Sequence, residues 1–193
     1  MQAAIGWIVL SSAIFAGADP VIDTAHYSEN GITFDYPKDW KIKTDKGTKG
    51  LVTITATSDS GSTAMLQVYS LPVEPDDILK QVYAAVRKSF EASLVKDSEK
   101  EVKRKIAGTE LTGKSMEIDV IKGTTSLKQE MYAFKAPSKN RVIFVMFQAV
   151  STEADKAKAG FDAVAKTLAE TGDGSGTGSG SKSGSGSGSS SSE

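Results

Sequence analysis

The segment RVIFVMFQAV, Arg141 to Val150, decides the fold. Val142, Ile143, Phe144, Val145, Met146 and Phe147 are apolar at consecutive positions, so an extended chain through them is greasy on both faces. A strand with one wet face alternates instead. This segment therefore predicts a central strand covered by helices on both sides, and a three-layer arrangement around it.

Two segments with helical periodicity supply the covers. In the first, Asp76 or Asp77 is placed to cap a helix of about five turns, running from Asp77 to Leu94. Leu79, Val82, Tyr83, Val86, Phe90 and Leu94 form its apolar stripe, with Lys80, Arg87, Lys88 and Glu91 outward. In the second, Thr152 caps, Asp155 follows three residues later, and Ala157, Phe161, Val164, Ala165 and Leu168 form the stripe before Gly172 stops the helix.

The rest of the domain alternates with period two. Ile32, Phe34 and Tyr36 alternate with Thr33 and Asp35; Val52, Ile54 and Ala56 alternate with threonines; Leu66 and Val68 alternate with Gln67 and Tyr69. Asn30-Gly31 favours the positive φ values of a tight hairpin between Ala25–Ser28 and Ile32–Tyr36, and Asp59 to Ser62 reads as a second turn. Met116, Ile118 and Val120 alternate with Glu117, Asp119 and Ile121. Lys122-Gly123 then turns the chain into a strand through Met131, Tyr132 and Phe134. Strands joined by short turns exclude parallel βαβ units, so the fold class is α+β: an α/β/α sandwich on a central, mainly antiparallel sheet.

Composition marks off the two ends. Ala3 to Ala18 is uncharged and apolar, too short for a comfortable membrane span and of signal-peptide length. Ala16-Gly17-Ala18 provides a small-x-small cleavage site and Asp19-Pro20 breaks the helix behind it. The expectation is a signal peptide over 1–18 cleaved after Ala18, one domain over 19–171, and a disordered Gly/Ser tail over 172–193. The protein is expected outside the cytoplasm, periplasmic or secreted, with no stable membrane span after cleavage.

Charge and residue inventory narrow the chemistry. Lys and Arg number 23 against 24 Asp and Glu, which provides no basic field for nucleic acid. Cysteine is absent, which removes disulfides, thiolate metal sites and thiol nucleophiles. Gly108-Thr-Glu-Leu-Thr-Gly113-Lys114-Ser115 matches the letters of a phosphate-binding loop. Such a loop must follow a buried strand and open a helix, whereas Glu101 to Lys105 is charged and Met116 to Ile121 alternates like a strand, so turn and strand are predicted.

His26 is the sole histidine, and any Ser-His-Asp relay would have to use it. Standing in a first strand, it reads as a structural or surface residue. Glu74, Asp76 and Asp77 read as helix-capping rather than cation-binding, and Asp59-Ser60-Gly61-Ser62 as a turn without the downstream ligands of a calcium loop. Lys100, Lys103, Arg104 and Lys105, interleaved with Glu99 and Glu101, read as a solvated edge strand. No catalytic residue, metal ligand or cofactor is assigned.

Gly31-Ile-Thr-Phe34-Asp-Tyr36-Pro37-Lys-Asp-Trp40 resembles the opening signature of PsbP-like domains, in which an aromatic, a Tyr-Pro pair and a tryptophan mark the first hairpin. The order of later elements is similar to that family over about 150 residues. The resemblance implies a PsbP-like, or Mog-like, α/β/α sandwich with Phe34, Tyr36, Pro37 and Trp40 in structural roles. It also implies an extracytoplasmic accessory, assembly or protein-binding module without catalysis, whose partner is a protein. A small-ligand carrier using the space between the first helix and the sheet, and a hydrolase using His26, stand as alternatives.

Overall fold

The computed structural model describes residues 22–70, 72–121, 125–136 and 141–171. The expected signal peptide over 1–18, the Asp19-Pro20 break, the Lys122-Gly123 turn and the tail over 172–193 lie outside the described residues. Ten strands and two α-helices occur among the described residues, and every pairing between these strands is antiparallel.

Strands β1 (Thr24–Glu29) and β2 (Ile32–Pro37) form the expected hairpin, with Asn30 at φ 54° and Gly31 at φ 79°. Both values suit the tight turn that Asn-Gly favours. The hairpin stays out of the main sheet. Only a two-residue strand, Ala169–Glu170 at the end of the described chain, joins β2 on its other side.

The main sheet has seven strands. Two meanders build it: β3 (Lys41–Lys46), β4 (Val52–Thr57) and β5 (Thr63–Tyr69), then β6 (Lys100–Ile106), β7 (Thr109–Ile121), β8 (Thr125–Lys135) and β9 (Val142–Val150). The spatial order is β3-β4-β5-β9-β8-β7-β6, so β9 is the middle strand, as its unbroken apolar run requires.

Helix α1 (Pro75–Ser89) covers one face, over β8 and β9. Its side of the core holds Ile78, Met116, Ile118, Met131, Val142 and Phe144. Helix α2 (Ala154–Thr167) covers the other face together with the small β1-β2-β10 sheet, where β10 is Ala169–Glu170. The α2 stripe is buried as expected, at Ala157, Phe161, Val164, Ala165 and Leu168, with Gly160 added. Large side chains of this kind each contribute roughly 1.5–3 kcal/mol when fully buried.

The helix ends depart from expectation. Pro75 opens α1 behind Glu74, since proline needs no hydrogen-bond partner at the first helical position. Asp76 and Asp77 therefore fall in the first turn rather than at the cap, where their charge still favours the helix N-terminus. The helix stops at Ser89, short of Leu94; a turn of 3-10 helix over Glu91–Ser93 redirects the chain so that Leu94 bridges to Ile118. Phe90, expected in the stripe, is 41% exposed. Glu153 rather than Thr152 precedes α2, without a side-chain cap, and α2 ends at Thr167 rather than near Gly172.

Val120 is also misplaced by strict alternation. A bulge between Asp119 and Ile121 shifts the β7-β8 register and leaves Val120 52% exposed, whereas Met116 and Ile118 point inward.

Candidate functional site: a groove beside the first helix

The aromatic corner of the first hairpin is built into the core. Phe34 is fully buried and stacks on Tyr27 at 5.0 Å, with Tyr36 edge-on at 6.2 Å. The chain turns after Pro37, and the Trp40 N–H donates to the Pro37 carbonyl at 2.9 Å. The Trp40 ring meets Phe161 of α2 edge-on at 5.7 Å, and Phe161 in turn packs on Phe147 of β9 at 5.0 Å. This contact requires Gly160: a Cβ there would stand 2.7 Å from the Trp40 ring and 2.8 Å from Pro37 Cγ. Pro37 and Trp40 thus pack the hairpin against α2 while Phe34 and Tyr36 pack within it, and Pro37 and Trp40 also line a shallow concavity with Ile22, Lys156 and Gly160.

The phosphate-loop letters fall on a turn and a strand. Ala107 and Gly108 take positive φ values of 50° and 80° between β6 and β7, and Thr109 to Ser115 are strand. Gly113 lies under Tyr132, and Lys114 stands 3.8 Å from Glu101 across the β6-β7 pair. A phosphate cradle needs backbone N–H groups converging at a helix N-terminus, and no helix follows here.

Two of the carboxylates considered for cations have lysine partners, and Asp76 and Asp77 lie in the first turn of α1. Glu74 meets Lys135 at 3.0 Å, and Asp59 meets Lys41 at 2.8 Å, the hydrogen bond and charge of Lys41 holding the Asp59 carboxyl below its usual range.

His26 is held more closely than a lone surface histidine. Its Nδ1 lies 2.7 Å from Asp35 Oδ1 and its Nε2 2.7 Å from Thr33 Oγ1, on the outer face of the hairpin. The order hydroxyl-imidazole-carboxylate is that of a nucleophilic relay. In such a relay the hydroxyl gives its hydrogen to the ring. Here the Tyr27 carbonyl, 2.9 Å from Thr33 Oγ1, competes with the ring for that one hydrogen.

Arg104, expected among solvated charges, points inward. Its guanidinium meets Glu130 at 3.0 Å and Asp162 at 2.8 Å and lies 4.9 Å over the Phe147 ring. Tyr132 donates to the same Glu130 oxygen at 2.8 Å. Burial works against the Arg104 charge, but Glu130 and the Tyr132 oxygen outweigh it and raise its pKa. The phase of the strand put Arg104 on the same face as the inward Val102 and Ile106, while its charge argued for solvent. The cluster ties the edge strand β6 to β8 and α2.

Three tyrosines carry a pH prediction. Burial, then the Glu99 carboxylate as hydrogen-bond acceptor, pushes the Tyr83 phenol up to about 12; burial and Glu130 push Tyr132 up as well. The folded chain keeps these protons where the unfolded chain releases them, near pH 10. The stability they contribute is therefore complete below about pH 10 and is lost as pH climbs through 10 towards 12. Burial raises the Tyr69 phenol too, so phenolate absorbance across an alkaline titration should show three of the five tyrosines ionising late and together with unfolding. Five phenols titrating together near pH 10 would contradict it.

A concavity lies between α1 and the sheet, in the space that the small-ligand-carrier alternative named. Met65, Gln67 and Tyr69 of β5, Met146 and Gln148 of β9, and Gln129 of β8 form its floor. Val82, Val86 and the exposed Phe90 form its wall, and it encloses about 610 Å³. It exists because α1 packs on β8 and β9, leaving β3 and β4 uncovered on this side. Thr53, Thr55 and Thr57 continue the floor, in register with Gln67, Met65 and Thr63.

Gln129 is the anomaly in this floor. It is 4% exposed, donates from Nε2 to Gln148 Oε1 at 2.8 Å, and leaves its own buried Oε1 without a partner among the described residues. An unsatisfied buried acceptor costs about 1–3 kcal/mol. The sequence carried a trace of it: Gln129 falls in phase with Met131 and Ala133 on the α1 side of β8.

No family model matches this sequence, and no curated protein matches it. Solved structures do. The solution structure of a cyanobacterial PsbP, CyanoP from Synechocystis sp. PCC 6803, is 14% identical with a TM-score of 0.51, over 80% of this chain and 96% of that one. A crystal structure from Bacteroides thetaiotaomicron is 14% identical with a TM-score of 0.48, over 76% of this chain and 47% of that one. LpqN of Mycobacterium tuberculosis is 13% identical with a TM-score of 0.46, over 78% and 90%. The last two overlaps add nothing to the fold reading. With its antiparallel sheet between two helices, its aromatic hairpin corner and its match to almost the whole of CyanoP, the chain has the PsbP-like fold.

Proposed function

We propose that this chain is an exported, non-catalytic accessory or assembly module that acts by binding another protein outside the cytoplasm. The observation that carries this reading is the open groove beside α1, where Phe90 stands 41% exposed against a floor rich in methionine and glutamine. Methionine surfaces adapt to varied apolar partners, and an exposed aromatic at a groove edge is a typical anchor. The groove is open along one side, unlike pockets that bury most of a small ligand's surface. The PsbP-like fold supports the same reading. So does the apolar segment over 3–18 with its Ala16-Gly17-Ala18 cleavage site, which would deliver the 19–171 domain and the 172–193 tail outside the cytoplasm. No helix among the described residues is long and apolar enough to cross a membrane.

Crosslinking the tagged full-length chain in the native envelope tests this. A stoichiometric protein partner is expected, with Phe90→Asp reducing its capture roughly tenfold or more and His26→Ala leaving it unchanged. A bound small compound in place of a partner would make the chain a carrier. An envelope hydrolase activity lost in His26→Ala would make it an enzyme.

A further inference from the structure

We propose that the free edge of β3 pairs antiparallel with β3 of a second copy of this chain, in the register that centres on Thr44 and sets Lys43 of each copy against Asp45 of the other. The inference is independent of what fills the groove.

Strand β3 ends the seven-strand order, and alternate residues of an edge strand direct their backbone groups inward or outward. Two turns fix which do which. The Gly47 N–H donates to the Leu51 carbonyl at 2.8 Å, in continuation of the β3-β4 register, so Lys41, Lys43 and Asp45 bond to β4. The Ser58 N–H donates to the Ser62 carbonyl at 2.9 Å, which directs Ile54 and Ala56 to β5 and leaves their β3 partners, Thr44 and Ile42, facing outward. Among the described residues nothing bonds to the outward N–H and C=O groups of Ile42, Thr44 and Lys46. Such a row is a template for another strand.

Charge selects the occupant and its register. Lysine on an edge deters pairing, and β3 carries Lys41, Lys43 and Lys46. A two-fold pairing centred on Lys41, Lys43, Asp45 or Lys46 sets a charge against itself, and one centred on Ile42 sets Lys41 against Lys43. Centred on Thr44, it sets each Lys43 opposite the other copy's Asp45 and each Lys41 opposite Gly47, so no like charges meet. Lys43 already holds its own Asp45 at 2.8 Å, so the pairing forms a ring of alternating charge about the axis. Lys41 is held apart by Asp59 at 2.8 Å.

The same register satisfies the backbone. Thr44 faces Thr44 and Ile42 faces Lys46 as hydrogen-bonded pairs, which makes about six bonds between the copies. Lys43 and Asp45 then form the closer, non-hydrogen-bonded pair, and at 75% and 57% exposure both are free to meet a partner. On the α2 side, Thr44 Oγ1 lies 3.3 Å from the Tyr27 hydroxyl and the half-buried Ile42 packs on the core, where the alkyl stem of the opposing Lys46 can cover it. The opposite edge, β6, has no such register through its middle. Centred on Glu101, Lys103 or Lys105 it sets a charge against itself, on Val102 it sets Lys100 against Arg104, and on Arg104 it sets Lys103 against Lys105. The β3 axis stands perpendicular to the sheet, so both grooves open on one side of the joined sheets.

Sedimentation equilibrium of the full-length chain from about 10 µM to about 1 mM tests the inference, since a short strand edge gives a weak, concentration-dependent dimer. Asp45→Lys and Lys43→Asp should each weaken the dimer about tenfold or more, because each sets like charges opposite one another twice. An equimolar mixture of the two variants should associate as the wild type does, since lysines of one then face aspartates of the other. Both side chains are exposed, so the melting temperatures of the dilute variants should match that of the dilute wild type. The Thr44 amide should exchange with solvent slowly at high concentration and fast at low, while the Lys43 amide, bonded to β4, stays slow in both.

A chain that is monomeric throughout, a dimer that Asp45→Lys leaves intact, a mixture that fails to associate, or a Thr44 amide indifferent to concentration would overturn the proposal. Each of these results leaves the protein-binding reading standing, because capture of an envelope partner by the Asp45→Lys chain scores that reading separately.

Discussion

Gly113→Ala is expected to cost about 3 kcal/mol or more, beyond the usual range for one added methyl, because the clash is with backbone. A Cβ at Gly113 would stand 2.3 Å from the Met131 carbonyl oxygen and 2.5 and 2.6 Å from two ring carbons of Tyr132. Strand β7 is paired on both sides, to β6 and β8, so neither neighbour can give way without breaking a ladder. For a domain of this size the loss corresponds to a melting temperature lower by roughly 6–12 °C. Gly61→Ala is the control. Gly61 sits at φ 89° with nothing near its absent side chain, so the substitution costs only backbone strain, about 1 kcal/mol. A melting temperature for Gly113→Ala equal to that of Gly61→Ala would refute the steric account, and with it the role of this glycine as the floor under Tyr132.

Arg104→Ala should be the second most damaging single change. Its guanidinium is the shared cation of Glu130 and Asp162, and all three side chains are about four-fifths covered, at 18%, 22% and 23% exposure. Removing it leaves Glu130 with the Tyr132 hydroxyl alone, while Asp162 keeps Lys158 at 2.7 Å. The expected loss is about 2–4 kcal/mol, at or below the range for breaking a buried pair because some solvent reaches the cluster. Arg104→Met with Glu130→Met should recover much of the loss, since it restores packing on Phe147 and removes the stranded carboxylate. Denaturant unfolding of the two single and the double variant measures the coupling. Strict additivity would show that the pair is not acting as a unit.

The hairpin at Asn30-Gly31, the α2 stripe and the central place of Val142–Val150 could be read directly, because each depends on local conformational preference or on a period that spans only a few residues. The inward Arg104 could not. Its charge, among Lys100, Lys103 and Lys105, reads as solvated surface, and only the presence of Asp162, fifty-eight residues later on α2, makes the inward orientation favourable. Val120 was lost to a bulge, which inserts one residue and reverses the faces beyond it. Phe90 and Leu94 continue the helical period past Ser89, but the chain leaves the helix there because Leu94 gains a bridge to Ile118.

The place of the groove, between the first helix and the sheet, was among the alternatives, but its lining was the least legible feature. Its residues come from α1, β5, β8 and β9, and only Gln129, polar in the phase of Met131 and Ala133, stands out in its own segment. It arises from a mismatch of widths, one helix against a seven-stranded sheet.

From the order of amino acids alone came the class of the fold, the alternating and doubly apolar strands, the two helices and the aromatic hairpin corner. These follow from which face of each element must leave water. Tertiary structure decided which strands lie side by side, that β5 meets β9 and the first hairpin stands apart, that Arg104 is enclosed, and that Gln129 is buried with an oxygen unpaired. Periodicity assigns a residue to a face, whereas its neighbours across that face come from distant parts of the chain and exist only once all of it has packed.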